Sequence, residues 1–194
     1  SLGFLSKQLQ PTAVYVIFDG VGSSINRKNL IPEYKSGRNV NRINANIFEH
    51  LDDENEAKAD QIGRLIQYLQ CLPVKILSMD KVEADDIIAT LVKHYHDKEK
   101  IMIVSSDKDF QQLFRYSNVK QYSPIKKSLV TCTEPDRYLF EHIIKGDATD
   151  GIPNILSADD TFAVDGKRQK PLAAKKLAQW KTFSDVPQEY QTNI

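Results

Sequence analysis

The sequence has few cysteines, no long apolar run and no excess of charge of either sign. Its 194 residues include two cysteines, Cys71 and Cys132, which argues against a disulfide framework and favours a reducing, intracellular setting. No apolar run approaches the roughly 20 residues that a membrane-spanning helix needs. We therefore expect a cytoplasmic protein without a membrane partner.

The charges are segregated along the chain although they cancel overall. The chain has 26 basic and 26 acidic side chains, and this balance argues against a simple nucleic-acid coat protein. Residues 27–42 and 165–181 are basic, however, while residues 49–60 are acidic. Two basic patches that flank an acidic centre suit a ligand with a phosphate backbone. The alternative, an ordinary solvated surface, fits residues 49–60 well.

Three apolar runs alternate with helical patterns in the first half of the chain. The runs span residues 13–20, 74–80 and 100–110, and a helix is predicted between the first two, over about residues 57–72. Strands that alternate with helices imply a parallel sheet, because parallel neighbours need a crossover connection. The sequence thus predicts an α/β fold with a mostly parallel, twisted sheet flanked by helices. A short hairpin is predicted around residues 124–128.

The stretch SMDKVEADDIIATLVKHY, residues 78–95, places four acids just before an apolar helical stripe. The stripe has the spacing of one buried helix face and consists of Ala84, Ile87, Ile88, Leu91, Val92 and Tyr95. A helix start accounts for two of the acids, with Asp80 as N-cap and Glu83 closing a capping box. Asp85 and Asp86 add repulsion, so a further partner is expected to hold the four acids together.

Acidic side chains follow the ends of all three predicted strands. They are Asp19, then the group from Asp80 to Asp86, then Asp107 and Asp109. Open parallel sheets bind ligands at the carboxyl ends of their strands, so these acids are expected to share a pocket. Hard oxygen ligands select Mg²⁺ or Mn²⁺ rather than zinc. A single aspartate is more often a cap or a turn residue, but the combination favours a metal site.

A fourth acidic group lies in GDATDG, where Asp147 and Asp150 are three residues apart. One helical turn puts such residues on the same side, so both can point at one metal ion. Ordinary Asp-Gly turn chemistry is the alternative. The histidines are scattered without cysteine partners, and His94 and His96 are expected on a helix surface rather than at a zinc ion.

Five short motifs occur in one order along the chain: IFDG, EYKSGR, VEADD, SSDKDF and KGDATDGIPN. Together they resemble the flap-endonuclease superfamily of structure-specific 5′-nucleases. Within that superfamily the sequence looks most like the bacteriophage 5′→3′ exonuclease and RNase H type, which is related to the 5′-nuclease domain of bacterial DNA polymerase I. The resemblance runs from about Gly3 to Leu177. It implies a PIN-like nuclease core over residues 1–145 with a basic arch at 27–42, and a divergent, helix–hairpin–helix-like duplex-binding region over 146–194.

The resemblance also implies two divalent cations, Mg²⁺ or Mn²⁺. The first would be surrounded by Asp19, Glu83, Asp85 and Asp107, with Asp86 close by. The second would be held, partly through water, by Asp109, Asp147 and Asp150. The implied reaction is in-line attack of a metal-activated water on a phosphodiester, during DNA replication or repair and without a histidine base.

The resemblance gives the basic residues roles at the phosphates. Lys35 and Arg38 match arch positions where cations neutralise the scissile phosphate, and Tyr34 is placed to stack on a base. Other arch residues implied to contact DNA are Arg27, Lys28 and Arg42. Near the C-terminus, duplex phosphates are expected to be bound by Lys167, Arg168, Lys170, Lys175 and Lys176. A helix there is predicted to begin at Pro171. The family's Gly-x-Gly element is absent, so the sequence does not decide whether this region binds K⁺.

The expected ligands are branched or 5′-ended DNA, with RNA–DNA hybrid as a further candidate. Replication proteins, such as a sliding clamp or a single-strand-binding protein, are the candidate protein partners. For a phage protein the expected location is the host cytoplasm. The preference between exonuclease and endonuclease cleavage stays open.

One departure from the family pattern lies at the N-terminus. The family begins with a strand that carries a further metal-ligand aspartate, and no such strand precedes SLGFLSKQL. We therefore expect that the chain is a fragment or that the protein lacks this ligand. The alternatives to an active 5′-nuclease are a non-catalytic nucleic-acid-binding relative and a PIN-type RNase. The retained acids favour activity, because unneeded carboxylate clusters are costly, and the basic arch favours a 5′-nuclease.

Overall fold

The computed structural model describes residues 2–36, 47, 49–164, 166–191 and 193. The chain divides into two compact units, the first made of Ser1–Ser23 and Asn39–Ala84, the second of Ser24–Arg38 and Asp85–Ile194. The boundary predicted near residue 145 stays a prediction. Among the described residues, no helix is both long and apolar enough to cross a membrane.

The helices and strands alternate through most of the described chain. In order they are α1 (Leu2–Leu9), β1 (Tyr15–Ile17), α2 (Ile25–Leu30), α3 (Leu51–Gln70), β2 (Lys75–Leu77), α4 (Ala84–Tyr95), β3 (Ile101–Val104), β4 (Val119–Ser123), β5 (Ser128–Val130), α5 (Pro135–Lys145), α6 (Ala174–Gln179) and α7 (Gln188–Gln191). Short 3-10 helices span Asp109–Arg115, Asp159–Phe162 and Phe183–Asp185.

The described strands form two small sheets. β1 and β2 pair in parallel, with Tyr15 opposite Lys75 and Ile17 opposite Leu77. In the other sheet, β4 lies between β3, to which it is parallel, and β5, to which it is antiparallel. The predicted α/β class and the hairpin are therefore confirmed. The hydrogen-bonded strands make two sheets in the described chain, whereas the sequence pattern predicts one.

The observed strands are shorter than the predicted runs, because the acidic ends of these runs leave the ladder. β3 ends at Val104, whereas the run extends to residue 110. Beyond β3 the backbone is held by side chains, and the N–H of Asp107 donates to Ser105 Oγ at 3.1 Å. The acids therefore lie in loops that follow the carboxyl ends of the strands.

Helix α3 begins at Leu51 rather than near residue 57. Its first turn contains Asp52, Asp53 and Glu54, whose negative charges stabilise a helix N-terminus. The sequence pattern alone assigns these acids to a solvated run. The earlier start shows that the charge pattern, and not the apolar stripe alone, determines where this helix begins.

Helix α4 begins at Ala84, so the predicted N-cap at Asp80 is wrong. Lys81 has a left-handed φ of 63°, and the N–H of Val82 donates to the carbonyl of Met79 at 3.1 Å, which makes a turn. The N–H of Ala84 instead donates to Asp19 Oδ1 at 2.7 Å. The Asp19 carboxylate, in the loop after β1, thus accepts a hydrogen bond from the first N–H of a helix that is distant in sequence.

Two apolar clusters form the core of the second unit. One contains Val92, Ile103, Phe110, Leu113 and Val119, from α4, β3, β4 and the first 3-10 helix. The other contains Phe140, Ile144, Ile155, Leu156, Leu177, Trp180 and Val186. Helix α5 contributes to the second cluster, and its Pro135 occupies the first turn, where a missing N–H costs nothing.

Helix α6 begins at Ala174, so Pro171 does not open it as predicted. Two tertiary hydrogen bonds hold the preceding chain in a non-helical path. Asn154 Nδ2 donates to the carbonyl of Lys170 at 2.7 Å, and the N–H of Lys170 donates to Ser157 Oγ at 2.8 Å. The helix forms only beyond these bonds.

Gly20 occupies a position without room for a side chain. A Cβ there would overlap the backbone carbonyl of Met79, and the N–H of Gly20 donates to the carbonyl of Val82 at 3.0 Å. We expect Gly20→Ala to lower the free energy of unfolding by about 1–3 kcal/mol, the usual cost of overpacking. Gly63→Ala is the control, since open space surrounds that position of α3, and it should raise stability by about 0.5–1 kcal/mol. Denaturant titrations giving equal stabilities would contradict this reading.

Candidate metal centre

The loop after β3 presents two aspartates of the SSDKDF motif. Asp107 Oδ1 accepts a hydrogen bond from the N–H of Asp109 at 2.9 Å, which closes a local turn. Asp109 then begins the 3-10 helix, whose Phe110 and Leu113 are buried in the core. The carboxylates are thus held by a turn on one side and by core packing on the other.

Gln121, on the neighbouring strand β4, fixes this loop. Its fully buried side chain donates from Nε2 to the carbonyls of Ser105 at 2.8 Å and Asp107 at 2.6 Å. Its Oε1 is buried and has no hydrogen-bond partner among the described residues. A flipped amide would place this oxygen against two carbonyl oxygens, so the orientation is unambiguous. Gln121 therefore positions the backbone that carries Asp107.

The turn after α5 presents Asp147. Gly146 ends the helix with a φ of 66°, and a Cβ there would overlap the carbonyl oxygen of Ile152, so the chain reverses tightly. Asp147 Oδ1 accepts a hydrogen bond from the N–H of Thr149 at 2.8 Å and another from the Thr149 hydroxyl. These bonds fix the Asp147 carboxylate within its own turn.

His142 joins Asp109 and Asp147 in a cluster. Its Nε2 lies 3.2 Å from Asp109 Oδ1 and 4.0 Å from Asp147 Oδ2. One ligand atom from each residue lies within 4.8 Å of the other two. The structure therefore brings together two residues predicted for the second metal site and adds a histidine.

Asp150, the third residue predicted for that site, contacts the arch segment. Its Oδ2 accepts a hydrogen bond from the hydroxyl of Tyr34 at 3.2 Å, and its carbonyl accepts one from the N–H of Lys35 at 2.6 Å. Tyr34 is only 4% exposed. A buried ring cannot receive a base, so the stacking role predicted for Tyr34 does not fit this structure.

The other arch residues divide between described and undescribed positions. Lys35 places Nζ 4.8 Å from the centroid of the Tyr34 ring, a cation–π distance. Lys28 is exposed on α2. Arg38 and Arg42 lie outside the described residues. The roles predicted for these cations stay predictions.

Arg27 is paired with acids instead of being directed to solvent. Its guanidinium donates to both carboxylate oxygens of Asp86, at 2.7 and 2.9 Å, and lies 3.9 Å from Asp85 Oδ1. Such a bidentate ion pair fixes the orientation of both side chains as well as pairing their charges. The contact predicted between Arg27 and DNA would require this pair to open.

The residues predicted for the first metal site belong to different units. Asp19 and Glu83 lie in the first unit, while Asp85, Asp86 and Asp107 lie in the second. Glu83 is buried, which is unusual for a carboxylate without a specific role. The first metal site stays a prediction.

Negative charge is crowded around Asp109. Burial raises the pKa of Asp109, and the carboxylates of Asp107, Asp147 and Asp150 raise it further, against the opposing effect of His142. Carboxylates crowded in this way destabilise the charged form of the residue they surround. A bound cation would remove that cost.

Two groups beside Asp109 also have shifted pKa values. Burial alone would raise the pKa of Asp147, but hydrogen bonds from Thr149 outweigh burial and hold this pKa below its ordinary value. Burial and the charges of Asp109 and Asp107 raise the pKa of Tyr138 to about 12. At neutral pH Asp147 is therefore a carboxylate, and Tyr138 keeps its proton.

The C-terminal basic residues differ in their surroundings. Lys176 lies over the rings of Trp180 and Tyr190, at 5.3 and 4.9 Å from their centroids, and Lys167 pairs with Asp160. Arg168, Lys170 and Lys175 are exposed, and none of them forms an ion pair among the described residues. These three are the strongest candidates for duplex contacts among the five predicted.

Sequence reasoning missed His142 and Gln121. A signal existed for each of them. His142 lies in the last turn of α5, five residues before Asp147. Gly146, which follows this helix, lets the next turn fold back toward it. Gln121 is a polar residue between inward-facing Val119 and Ser123 on an alternating strand, and such a residue needs buried partners.

We expect Gln121→Leu to lower the free energy of unfolding by about 1–3 kcal/mol, since it removes the donor of two partly buried hydrogen bonds to the carbonyls of Ser105 and Asp107. The variant should also bind divalent cations more weakly, because the backbone of Asp107 is no longer fixed. Lys120→Leu is the control, as it introduces the same side chain at the adjacent, exposed position of β4. Thermal unfolding and Mn²⁺ titration measure the two effects, and a Gln121→Leu variant that matches the control in both would show that the amide does not position the loop.

The sequence matches a family described as 5′-3′ exonuclease, N-terminal resolvase-like domain, over residues 1–141. It is 32% identical over 169 residues to the ribonuclease H of Enterobacteria phage T4, a match that covers 84% of this chain and 53% of the relative. It is also 32% identical over 136 residues to the flap endonuclease Xni of Shewanella woodyi, covering 70% and 48%. The chain thus spans about half the length of the curated relatives it matches.

Solved structures of phage T5 proteins share the fold. One that was co-crystallised with metal ions has a TM-score of 0.74 at 19% identity, covering 99% of this chain and 73% of the other. The 5′-exonuclease of T5 with bound zinc ions has a TM-score of 0.69 at 20% identity, covering 99% and 72%. The family match extends over most of the sequence, and two of the acidic motifs come together at Asp109. The chain belongs to the 5′-3′ exonuclease family, whose N-terminal resolvase-like domain it contains.

Proposed function

We propose that this protein is a metal-dependent, structure-specific 5′-nuclease that hydrolyses phosphodiester bonds in branched or 5′-ended DNA. The observation that carries the proposal is the convergence of Asp109 and Asp147, from two separate motifs, beside His142. Family membership supports the same reaction class. The names of relatives, which include 5′-3′ exonuclease and flap endonuclease, support the substrate class.

The cluster fits a divalent cation. It offers two carboxylate oxygens and one imidazole nitrogen within 4.8 Å of one another, and both types of atom are metal ligands. Asp109 and Asp147 would hold the ion, and Asp150 would support it through water. This ion would occupy the second predicted site. The ion of the first predicted site would be held by Asp19, Glu83, Asp85 and Asp107, with Asp86 close by, as the family resemblance implies. When bound, Mg²⁺ or Mn²⁺ supplies positive charge at the phosphoryl oxygens and lowers the pKa of a water molecule.

The chain's own cations would position the nucleic acid. Lys35 lies in the arch segment, whose backbone is tied to Asp150, so its charge is held close to the acidic turn. There it would neutralise the phosphate that is cleaved, together with Arg38. Arg168, Lys170 and Lys175 would bind duplex phosphates farther from the cut. Replication proteins as partners and a cytoplasmic location belong to the same proposal.

The substrate test compares four 5′-labelled ligands in the presence of Mg²⁺ or Mn²⁺: a flapped duplex, a nicked duplex, an RNA–DNA hybrid and a single-stranded RNA. We expect cleavage near the 5′ end or the branch point, abolished by a chelator. The relative named ribonuclease H makes the hybrid a necessary arm of the experiment. Binding of branched DNA without cleavage in either metal would support the non-catalytic relative instead. Cleavage of single-stranded RNA alone would support a PIN-type RNase.

We expect Asp147→Asn to reduce the cleavage rate by about 100-fold or more, since even outer partners of metal ligands cost roughly 10- to 100-fold. Affinity for DNA should persist or rise, because a negative charge near the phosphates is removed. Asp97→Asn makes the same charge change at an exposed loop position and is the control. Single-turnover cleavage and fluorescence anisotropy separate the two effects. Normal cleavage by Asp147→Asn in limiting Mg²⁺ would remove this residue from the metal site.

We expect Arg168→Ala and Lys175→Ala to weaken duplex binding in a salt-dependent way. Removing one phosphate-binding cation should reduce the slope of log affinity against log salt by about 0.9. Lys98→Ala, in an exposed loop, is the control. Anisotropy titrations over a range of salt concentrations provide the slopes. Slopes that do not change in either variant would exclude these residues from the duplex interface.

A further inference from the structure

We propose that His142 is a nitrogen ligand of the second metal site and that it makes this site prefer a first-row transition-metal ion over Mg²⁺. The inference rests on the proposed function, since it concerns the metal centre proposed there. It goes further by assigning a ligand outside the acidic motifs and by predicting which class of ion the site selects.

The position of His142 is built by the backbone. It lies in the last turn of α5, and the tight reversal at Gly146 returns the chain so that Asp147 Oδ2 comes within 4.0 Å of Nε2. Asp109 Oδ1 approaches the same nitrogen to 3.2 Å. One ring nitrogen therefore faces two carboxylates that come from separate loops.

The imidazole ring is oriented by a neighbour. Tyr138, one turn earlier in α5, stacks on His142 with ring centroids 5.8 Å apart and planes 9° from parallel. Residues four apart on a helix lie on the same face, so the stacking is a property of α5 itself. This packing limits ring rotation and keeps Nε2 directed at the cluster, as outer contacts of ligand histidines do in metal sites.

A simple ion pair between His142 and Asp109 does not account for the whole cluster. The carboxylates of Asp107, Asp147 and Asp150 all act on Asp109. A protonated imidazole supplies one positive charge against these four acids. A divalent cation supplies two and can be bound by the imidazole and the carboxylates at once.

The donor set differs from the one that Mg²⁺ prefers. Mg²⁺ is bound by oxygen atoms and keeps several waters, whereas imidazole suits transition-metal ions. Affinities for a mixed nitrogen and oxygen site rise from Mn²⁺ through Fe²⁺ to Co²⁺ and Ni²⁺. Replacing an oxygen by the His142 nitrogen therefore shifts selectivity away from Mg²⁺ without removing either carboxylate.

The test uses Mn²⁺, Co²⁺ and Mg²⁺ as probes, with calorimetric titration and pulsed electron paramagnetic resonance of the Mn²⁺-loaded protein. We expect the wild-type protein to show coupling between Mn²⁺ and a ¹⁴N nucleus. His142→Gln, which offers an amide oxygen, should lose this coupling and bind Mn²⁺ and Co²⁺ about 10- to 100-fold more weakly, while Mg²⁺ affinity changes much less. His94→Gln, at an exposed position of α4, is the control and should retain the wild-type values.

A second variant guards against a loss of folding. His142→Asp supplies an oxygen ligand and a negative charge, so it should bind Mg²⁺ more tightly than wild type while the ¹⁴N coupling disappears. Metal-free thermal unfolding of each variant monitors the fold.

The outcomes separate this inference from the proposed nuclease activity. Divalent binding and cleavage without ¹⁴N coupling, or with unchanged selectivity in both His142 variants, would overturn the role of His142 and leave the nuclease proposal intact. A wild-type protein that binds none of the three ions would overturn both proposals.

Discussion

Repulsion between closely spaced carboxylates is the constraint on which the centre of the second unit depends. Asp107, Asp147 and Asp150 are near enough to Asp109 to raise its pKa, and burial reduces the screening by water. Without restraint, these groups would move apart or take up protons. Local devices restrain them instead, such as the turn that Asp107 closes and the two hydrogen bonds that Thr149 donates to Asp147.

Contacts from the surrounding structure hold the loops that carry these acids in place. Gln121, on β4, holds the loop after β3 in place through the hydrogen bond that it donates to the carbonyl of Asp107. Its amide oxygen remains buried without a partner among the described residues. Gly146 lets the chain after α5 turn back closely. Tyr34 links Asp150 to the arch segment. The acids are therefore positioned by hydrogen bonds from Gln121, Thr149 and Tyr34 together with the backbone reversal at Gly146.

The motifs predicted that Asp109 and Asp147 come together but not how they are held, and the first metal site that they also predicted stays a prediction. Asp109 could be placed because it follows the end of a predicted strand, whereas the pairing of Asp147 with it came from the resemblance of the motifs to the family. The hydrogen bond that caps the start of α4 could not be predicted, since it joins Ala84 and Asp19, which are far apart in the sequence. The burial of Tyr34 and the approach of His142 likewise depend on tertiary packing, for which the local sequence carries only weak signals. The division into two sheets also lay beyond strand patterns, which specify strands and not their partners.

The contact between Gly20 and Met79 has a consequence for how the loops after β1 and β2 can vary. In most packed contacts, side chains of different sizes adjust the distance between two backbones. Here backbone lies against backbone with nothing between them, so this distance cannot be tuned by the choice of side chain. The backbones of the two loops therefore have a fixed separation, and a single added carbon atom at residue 20 is enough to force them apart.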